Sequence, residues 1–269
     1  MGNRRGGPAG DRRSRGIRLT TRLVAAVLFV GIGVVAVILV TGRLWDFRAT
    51  HVYGPRTTDL YDPPVLAGQP LFHECSGGFY ARRGDTIVLT STGHCTAEGT
   101  VATDPDGTGV RGVFGPSARA ATCDRPGKTC SASDMTYLVV AEDRIPWGRL
   151  NVVDMGAGGY RELAPGTEPL RCDDVAIGDA VEINGQGLFR SGTVAEKGSN
   201  DFPEDGMYFP CMIAAGIQVN AGDSGGAVLV RGMPAGVASR SFGGALGFTP
   251  LAEGLEQLGL ELCTTPNCD

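Results

Sequence analysis

From Leu71 to about Gly247 the chain never sustains a helical spacing of apolar residues; short β-rich runs alternate with clusters of Gly, Pro, Asp and Asn. Asp85-Thr86-Ile87-Val88-Leu89-Thr90, Met135 to Val140, Ala180 to Asn184 and Ala227 to Val230 are each of strand length and bounded by turn formers. A helical repeat first emerges at Leu251, Leu255, Leu258 and Leu262, behind Pro250, and predicts a single C-terminal helix. Many short strands and one late helix define an all-β chain built as a barrel or a sandwich. At 269 residues it has room for one large β domain or two small barrels. The Pro- and Gly-containing stretch 162–169 is the expected join between two halves.

Ahead of this domain, residues 1–22 carry seven Arg against the lone Asp11, so a formal net charge of -5 for the whole chain conceals an acidic body. Lys128 and Lys197 are the only lysines, and no clustered positive surface of the kind nucleic acid requires is encoded in that body. From Leu23 to Gly42 runs a stretch without a charge, rich in Val, Ala, Ile and Leu. As a helix it would reach about 30 Å, the thickness of a bilayer core. The arginines on its N-terminal side predict a cytoplasmic basic tail over 1–22, a transmembrane helix over 23–42 and an extracytoplasmic remainder. A cleaved signal peptide and a secreted product form the rival reading, against which stand the length of the run and the lack of an Ala-x-Ala site after it. Residues 43–70, with Pro55, Pro63, Pro64 and Pro70, lack periodicity and are expected to be a stalk, leaving 71–269 as the folded domain.

Cys75, Cys95, Cys123, Cys130, Cys172, Cys211, Cys263 and Cys268 all follow the apolar run. An even number of cysteines in an exported domain predicts disulfides. The short spacings of Cys123/Cys130 and Cys263/Cys268 would each close a surface loop, whereas the recurring CxxC or Cys/His clusters of zinc sites are missing. No metal is therefore expected.

The strongest chemical signal is Gly222-Asp223-Ser224-Gly225-Gly226. A serine hydroxyl becomes nucleophilic only when a base takes its proton, and acyl transfer also needs donors for the developing oxyanion. Small residues around Ser224 allow a turn tight enough for the amides of Gly222 and Ser224 to converge on one oxygen; the bland alternative is a Gly-rich hairpin. A base working near neutral pH points to histidine, and the chain has three. His51 falls in the stalk and His73 precedes the first cysteine, while His94 follows an apolar run and directly precedes Cys95. Asp134, at the start of an alternating strand, is the candidate to accept the histidine Nδ1 hydrogen; most such aspartates are merely solvated strand caps.

Thr92-Gly93-His94-Cys95, Ser133-Asp134-Met135-Thr136-Tyr137-Leu138 and Gly222-Asp223-Ser224-Gly225-Gly226 together resemble the catalytic blocks of chymotrypsin-like serine peptidases, in that family's order. The resemblance extends from about Cys75 to Leu262. It implies two six-stranded antiparallel β-barrels with the site between them, His94 and Asp134 on the first and Ser224 on the second. It also implies a Cys75–Cys95 bridge and an oxyanion hole made by the amides of Gly222 and Ser224. Ser224 would act as nucleophile, His94 as general base and Asp134 as its orienting acid, hydrolysing a polypeptide without any cofactor. Asp223 would brace the nucleophile loop, since no Arg or Lys precedes an Ile-Val-Gly-Gly type start that could insert there.

Gly236-Val237-Ala238-Ser239 resembles the strand that lines the primary specificity pocket, with Ser239, Arg240 and Ser241 as substrate-binding candidates. Gln218 takes the place where trypsin-like members carry a pocket carboxylate, so cleavage after Arg or Lys is not expected, and Arg240 would favour acidic substrates. The segment from Leu89 to His94 is one residue longer than the family pattern, which would displace the histidine or be absorbed in a bulge. The second functional reading follows from that departure: a protease-like binding protein on the cell surface, its catalysis disabled. Nothing in the sequence sets an oligomeric state.

Overall fold

A computed structural model describes residues 65–72, 75–104, 107, 109–118, 125, 127–202 and 206–269. The expected basic tail, membrane helix and most of the stalk lie outside the described residues, as do His51, His73 and Cys123. Among the described residues no helix is long and apolar enough to cross a membrane.

In chain order the strands are β1 (Pro70–Phe72), β2 (Cys75–Ser76), β3 (Tyr80–Arg83), β4 (Thr86–Thr92), β5 (Val101–Thr103), β6 (Val110–Phe114), β7 (Thr129–Cys130), β8 (Met135–Val140), β9 (Val152–Asp154) and β10 (Tyr160–Glu162). There follow β11 (Ala180–Gly185), β12 (Leu188–Phe202), β13 (Met207–Gln218), β14 (Ala227–Val230), β15 (Met233–Phe242), β16 (Ala245–Pro250), the helix α1 (Leu251–Leu258) and β17 (Glu261–Leu262).

The second half closes on itself: β12-β11-β14-β15-β16-β13 runs antiparallel and the β12–β13 pairing completes a six-stranded barrel, with β7 added in parallel on β13. The first half is a six-stranded antiparallel sheet in the order β17-β3-β4-β8-β6-β5. Among the described residues no pairing joins its end strands, so hydrogen-bonded closure, expected of both halves, is found in one. The join contains the β9–β10 hairpin and residues 163–171.

Alternation along β14 explains both its uniform apolarity and how the halves meet. Successive side chains of a strand point to opposite faces. Ala227 and Leu229 join the core of the first half with Leu89, Leu138 and Met135, whereas Val228 and Val230 fill the second barrel with Ile183, Ile213 and Phe248. A strand buried on both faces has no polar side to show.

Two sequence boundaries move. Val65, Leu66 and Ala67 are buried, Val65 N–H donates to Arg144 O at 3.1 Å, and Ala67 bridges to Val153, so the folded domain starts before the expected stalk ends. The leucine repeat reaches Leu262, but the helix stops at Leu258 because Gly259 turns left-handed (φ 65°) and Leu262 pairs in β17 with β3. Disulfides join Cys75 to Cys95, Cys172 to Cys211 and Cys263 to Cys268, and Cys130 is also disulfide-bonded.

Candidate active site

Strand pairing delivers the first two site residues. β4 and β8 run in unbroken register from Val88↔Val139 to Thr92↔Met135, which places Gly93-His94 beside Ser133-Asp134 at one end of the sheet. The extra residue before His94 is therefore taken up as strand length, neither displacing the histidine nor forming a bulge. Gly93 N–H donates to Asp134 O at 3.2 Å, and the Cys75–Cys95 bridge pins the following residue to β2.

His94 Nδ1 lies 2.6 Å from Asp134 Oδ2, and its Nε2 lies 3.1 Å from Ser224 Oγ. Because an ionised carboxylate only accepts, Nδ1 carries the hydrogen and Nε2 keeps its lone pair toward the serine. The Ser224 hydroxyl then donates to Nε2 in preference to Ser239 O, which is 3.4 Å away. Burial by itself would push the Asp134 carboxyl upward. The hydrogen bond and charge of His94, the Ser239 hydroxyl and the nearby Arg240 guanidinium outweigh that burial and hold it below the usual carboxylate range.

Asp134 is only 7% exposed and is fixed from several sides. Its amide donates to Thr249 Oγ1 at 3.1 Å, and Ser133 Oγ donates to the same oxygen at 2.9 Å. Ser239 Oγ donates to Asp134 Oδ2 at 2.6 Å. The β15–β16 register shifts between Ala238 and Arg240, and such a bulge re-aims a side chain. Ser239, expected to contact substrate, thus spends its hydroxyl on the carboxylate.

Ser224 sits in a loop that only glycine can build. Gly222 and Gly225 have φ of 95° and 86°, and a Cβ on Gly225 would come within 2.2 Å of Ser76 O. Asp223, 2% exposed, accepts the Asn220 amide at 2.7 Å and forms an ion pair with Arg190, so it braces the loop internally. Among the described residues the amides of Gly222 and Ser224 have no hydrogen-bond partner and flank Asp223.

A cleft of about 430 Å³ opens beside the hydroxyl, lined by His94, Val219, Asn220, Ala221, Asp223, Ser224, Ala238, Ser239, Arg240, Ser241 and Leu246. Arg240 and Ser241 are where the sequence places them. Gln218 is not: its side chain is exposed outside the lining, and its carbonyl accepts from Arg190 Nη1 at 3.2 Å. β13 ends at Gln218, and the wall is made by the three residues that follow. Sequence reasoning also missed Arg190, Thr249, Ser76 and Gln186, whose only sequence signal is the Gly185-Gln186-Gly187 turn between two strand-like runs.

With this geometry established, the fold is chymotrypsin-like, and solved structures share it at low sequence identity. Chymotrypsin from Cellulomonas bogoriensis superposes with a TM-score of 0.55 at 23% identity, over 75% of this chain and all (100%) of that one. Protease A from Thermobifida fusca gives 0.55 and 23%, over 74% and 98% of the two chains. A glutamic acid-specific serine protease described as using a histidine triad in substrate binding gives 0.56 and 23%, over 74% and 100%. No family model matches the chain, and no curated protein matches it by sequence.

Proposed function

We propose that this chain is a serine endopeptidase hydrolysing polypeptides through an acyl-enzyme intermediate. The observation that carries the reading is one continuous relay, from a buried Asp134 through His94 to the Ser224 hydroxyl, at 2.6 and 3.1 Å. Ser224 Oγ attacks the scissile carbonyl carbon as His94 Nε2 takes its proton, and the oxyanion collects on the amides of Gly222 and Ser224. His94 returns the proton to the leaving amine, and water then repeats the sequence on the acyl ester. Asp134 keeps Nδ1 protonated and stabilises the imidazolium. The proteases that share this fold support the assignment, and the hydrogen-bond reach of His94 favours it over the disabled binding protein.

The cleft favours small or apolar side chains next to the scissile bond, because Val219, Ala221, Ala238 and Leu246 line it and its carboxylate, Asp223, is engaged by Arg190. Arg240 on the lining extends this preference to acidic side chains over basic ones. The domain is proposed to act outside the cell, anchored by residues 23–42 with the N-terminus in the cytoplasm. Profiling the full chain on a peptide library beside Ser224→Ala tests the function: cleavage confined to the unaltered chain is expected, with Leu, Ala or Glu preferred over Arg and Lys. Equal turnover by both proteins would overturn it. Retention in the membrane fraction after an alkaline wash tests the anchor, and release would refute it.

A further inference from the structure

The nucleophile loop is gripped from behind by two residues that the relay does not use. Ser76, fully buried on β2, gives its amide to Ser224 O at 2.7 Å and its hydroxyl to Gly222 O at 2.8 Å. The Gln186 amide donates to that same hydroxyl at 2.8 Å, and an N–H can only donate, so the Ser76 hydrogen is committed to Gly222 O. Gln186 Nε2 adds a second donor to Gly222 O at 3.1 Å. Gln186 belongs to the β11–β12 turn and holds a left-handed backbone, φ 51°, uncommon for a side chain of its kind. Its side chain fills the space where a Cβ on Gly222 would lie, 2.2 Å from Nε2. Ser91 Oγ in turn donates to Ser76 O at 2.9 Å, tying this grip to the strand that leads to His94.

We propose that Ser76 and Gln186 are positioning residues that hold the Gly222–Ser224 segment so that its two free amides meet the oxyanion. Each carbonyl they grip belongs to the same residue as one of the two amides, Gly222 and Ser224, so the grip limits rotation at both residues before substrate arrives. Donors fixed in advance pay no reorganisation as charge develops, which is where such donors gain their effect. Gln186 holds this left-handed backbone where a glycine would sit without strain, so its side chain is placed at a local conformational cost. The proposal rests on the serine peptidase reading, which supplies the oxyanion.

The test compares Gln186→Gly and Ser76→Ala with the unaltered full chain. Gln186→Gly removes the side-chain grip while relieving φ, so its melting temperature stays level or rises. Its kcat is expected to fall by about ten- to hundredfold, short of the roughly 10²–10³ lost when an oxyanion donor itself is deleted. KM stays constant, and affinity for a peptide boronic acid falls in parallel with kcat. Ser76→Ala loses kcat in the same way, with some loss of stability. A wild-type kcat in Gln186→Gly, or a loss confined to KM with boronate affinity unchanged, overturns the proposal. Should the unaltered chain neither hydrolyse peptides nor bind the boronic acid, the peptidase reading fails, and the grip is then judged by NMR order parameters. Loss of order at the Gly222 and Ser224 amides in Gln186→Gly supports it, and unchanged order refutes it.

Discussion

Replacing Arg190 with methionine keeps the bulk of the side chain and deletes its charge, stranding Asp223. The aspartate side chain is 3% exposed and the arginine 20%, so the pair is nearly but not wholly withdrawn from solvent. Arg190 also donates to Gln218 O at 3.2 Å and Gly185 O at 3.4 Å, so one guanidinium ties the nucleophile loop to the ends of β11 and β13. Stranding one member of a buried pair costs about 3–5 kcal/mol, and the partial exposure of Arg190 places this case near 3 kcal/mol. For a domain of this size that is a drop of roughly 6–12 °C in melting temperature. Adding Asp223→Asn to Arg190→Met removes the unpaired charge and should recover roughly half of the loss. Calorimetry on the wild type, both single variants and the double variant gives the full cycle. An Arg190→Met protein within about 0.5 kcal/mol of wild type, the scatter of ordinary surface changes, or a double variant no more stable than Arg190→Met, would show that the pair does not hold the loop in this way.

Two further predictions follow from the same geometry. The stabilisation from Asp134, whose carboxyl is held low, is present above the unfolded carboxylate value and lost as pH falls through the lower folded one. Ser239→Ala removes a hydrogen bond to that charge, costs about 1.5–3 kcal/mol at neutral pH, and moves the acid loss to higher pH. Melting curves should show the gap between variant and wild type narrowing in acid, and a pH-independent gap would contradict the assignment. Cys172 and Cys211, 39 residues apart, tie the segment before β11 to β13. Their joint replacement by serine should cost about 4 kcal/mol by loop-closure entropy, lowering the denaturant midpoint, and an unchanged midpoint would count against it.

The elements that could be read from sequence are those whose bounds are set locally. The runs at Met135–Val140 and Ala227–Val230 coincide with β8 and β14 because turn formers flank both. The stop of α1 does not show in the leucine spacing, which continues past Gly259, but only in the left-handed backbone there. Val65 to Ala67 gave no strand signal, since they are ordered by distant residues, Arg144 and Val153. His94, Asp134 and Ser224 were legible because few histidines compete and the three blocks keep a fixed order. Arg190, Thr249, Ser76 and Gln186 were not, because they are ordinary residues whose roles depend on which hairpin docks behind the loop. Gln218 failed for a related reason: counting back from Ser224 ignores where β13 ends.

Everything functional rests on Ser224 Oγ being activated by His94 within the folded protein. Treating the full chain with a fluorophosphonate and locating the adduct by peptide mass spectrometry reads that activation without knowledge of any substrate. One adduct on Ser224 is predicted, lost in Ser224→Ala and sharply slowed in His94→Ala. A folded chain that stays unlabelled, or one labelled equally well without the imidazole, would contradict it.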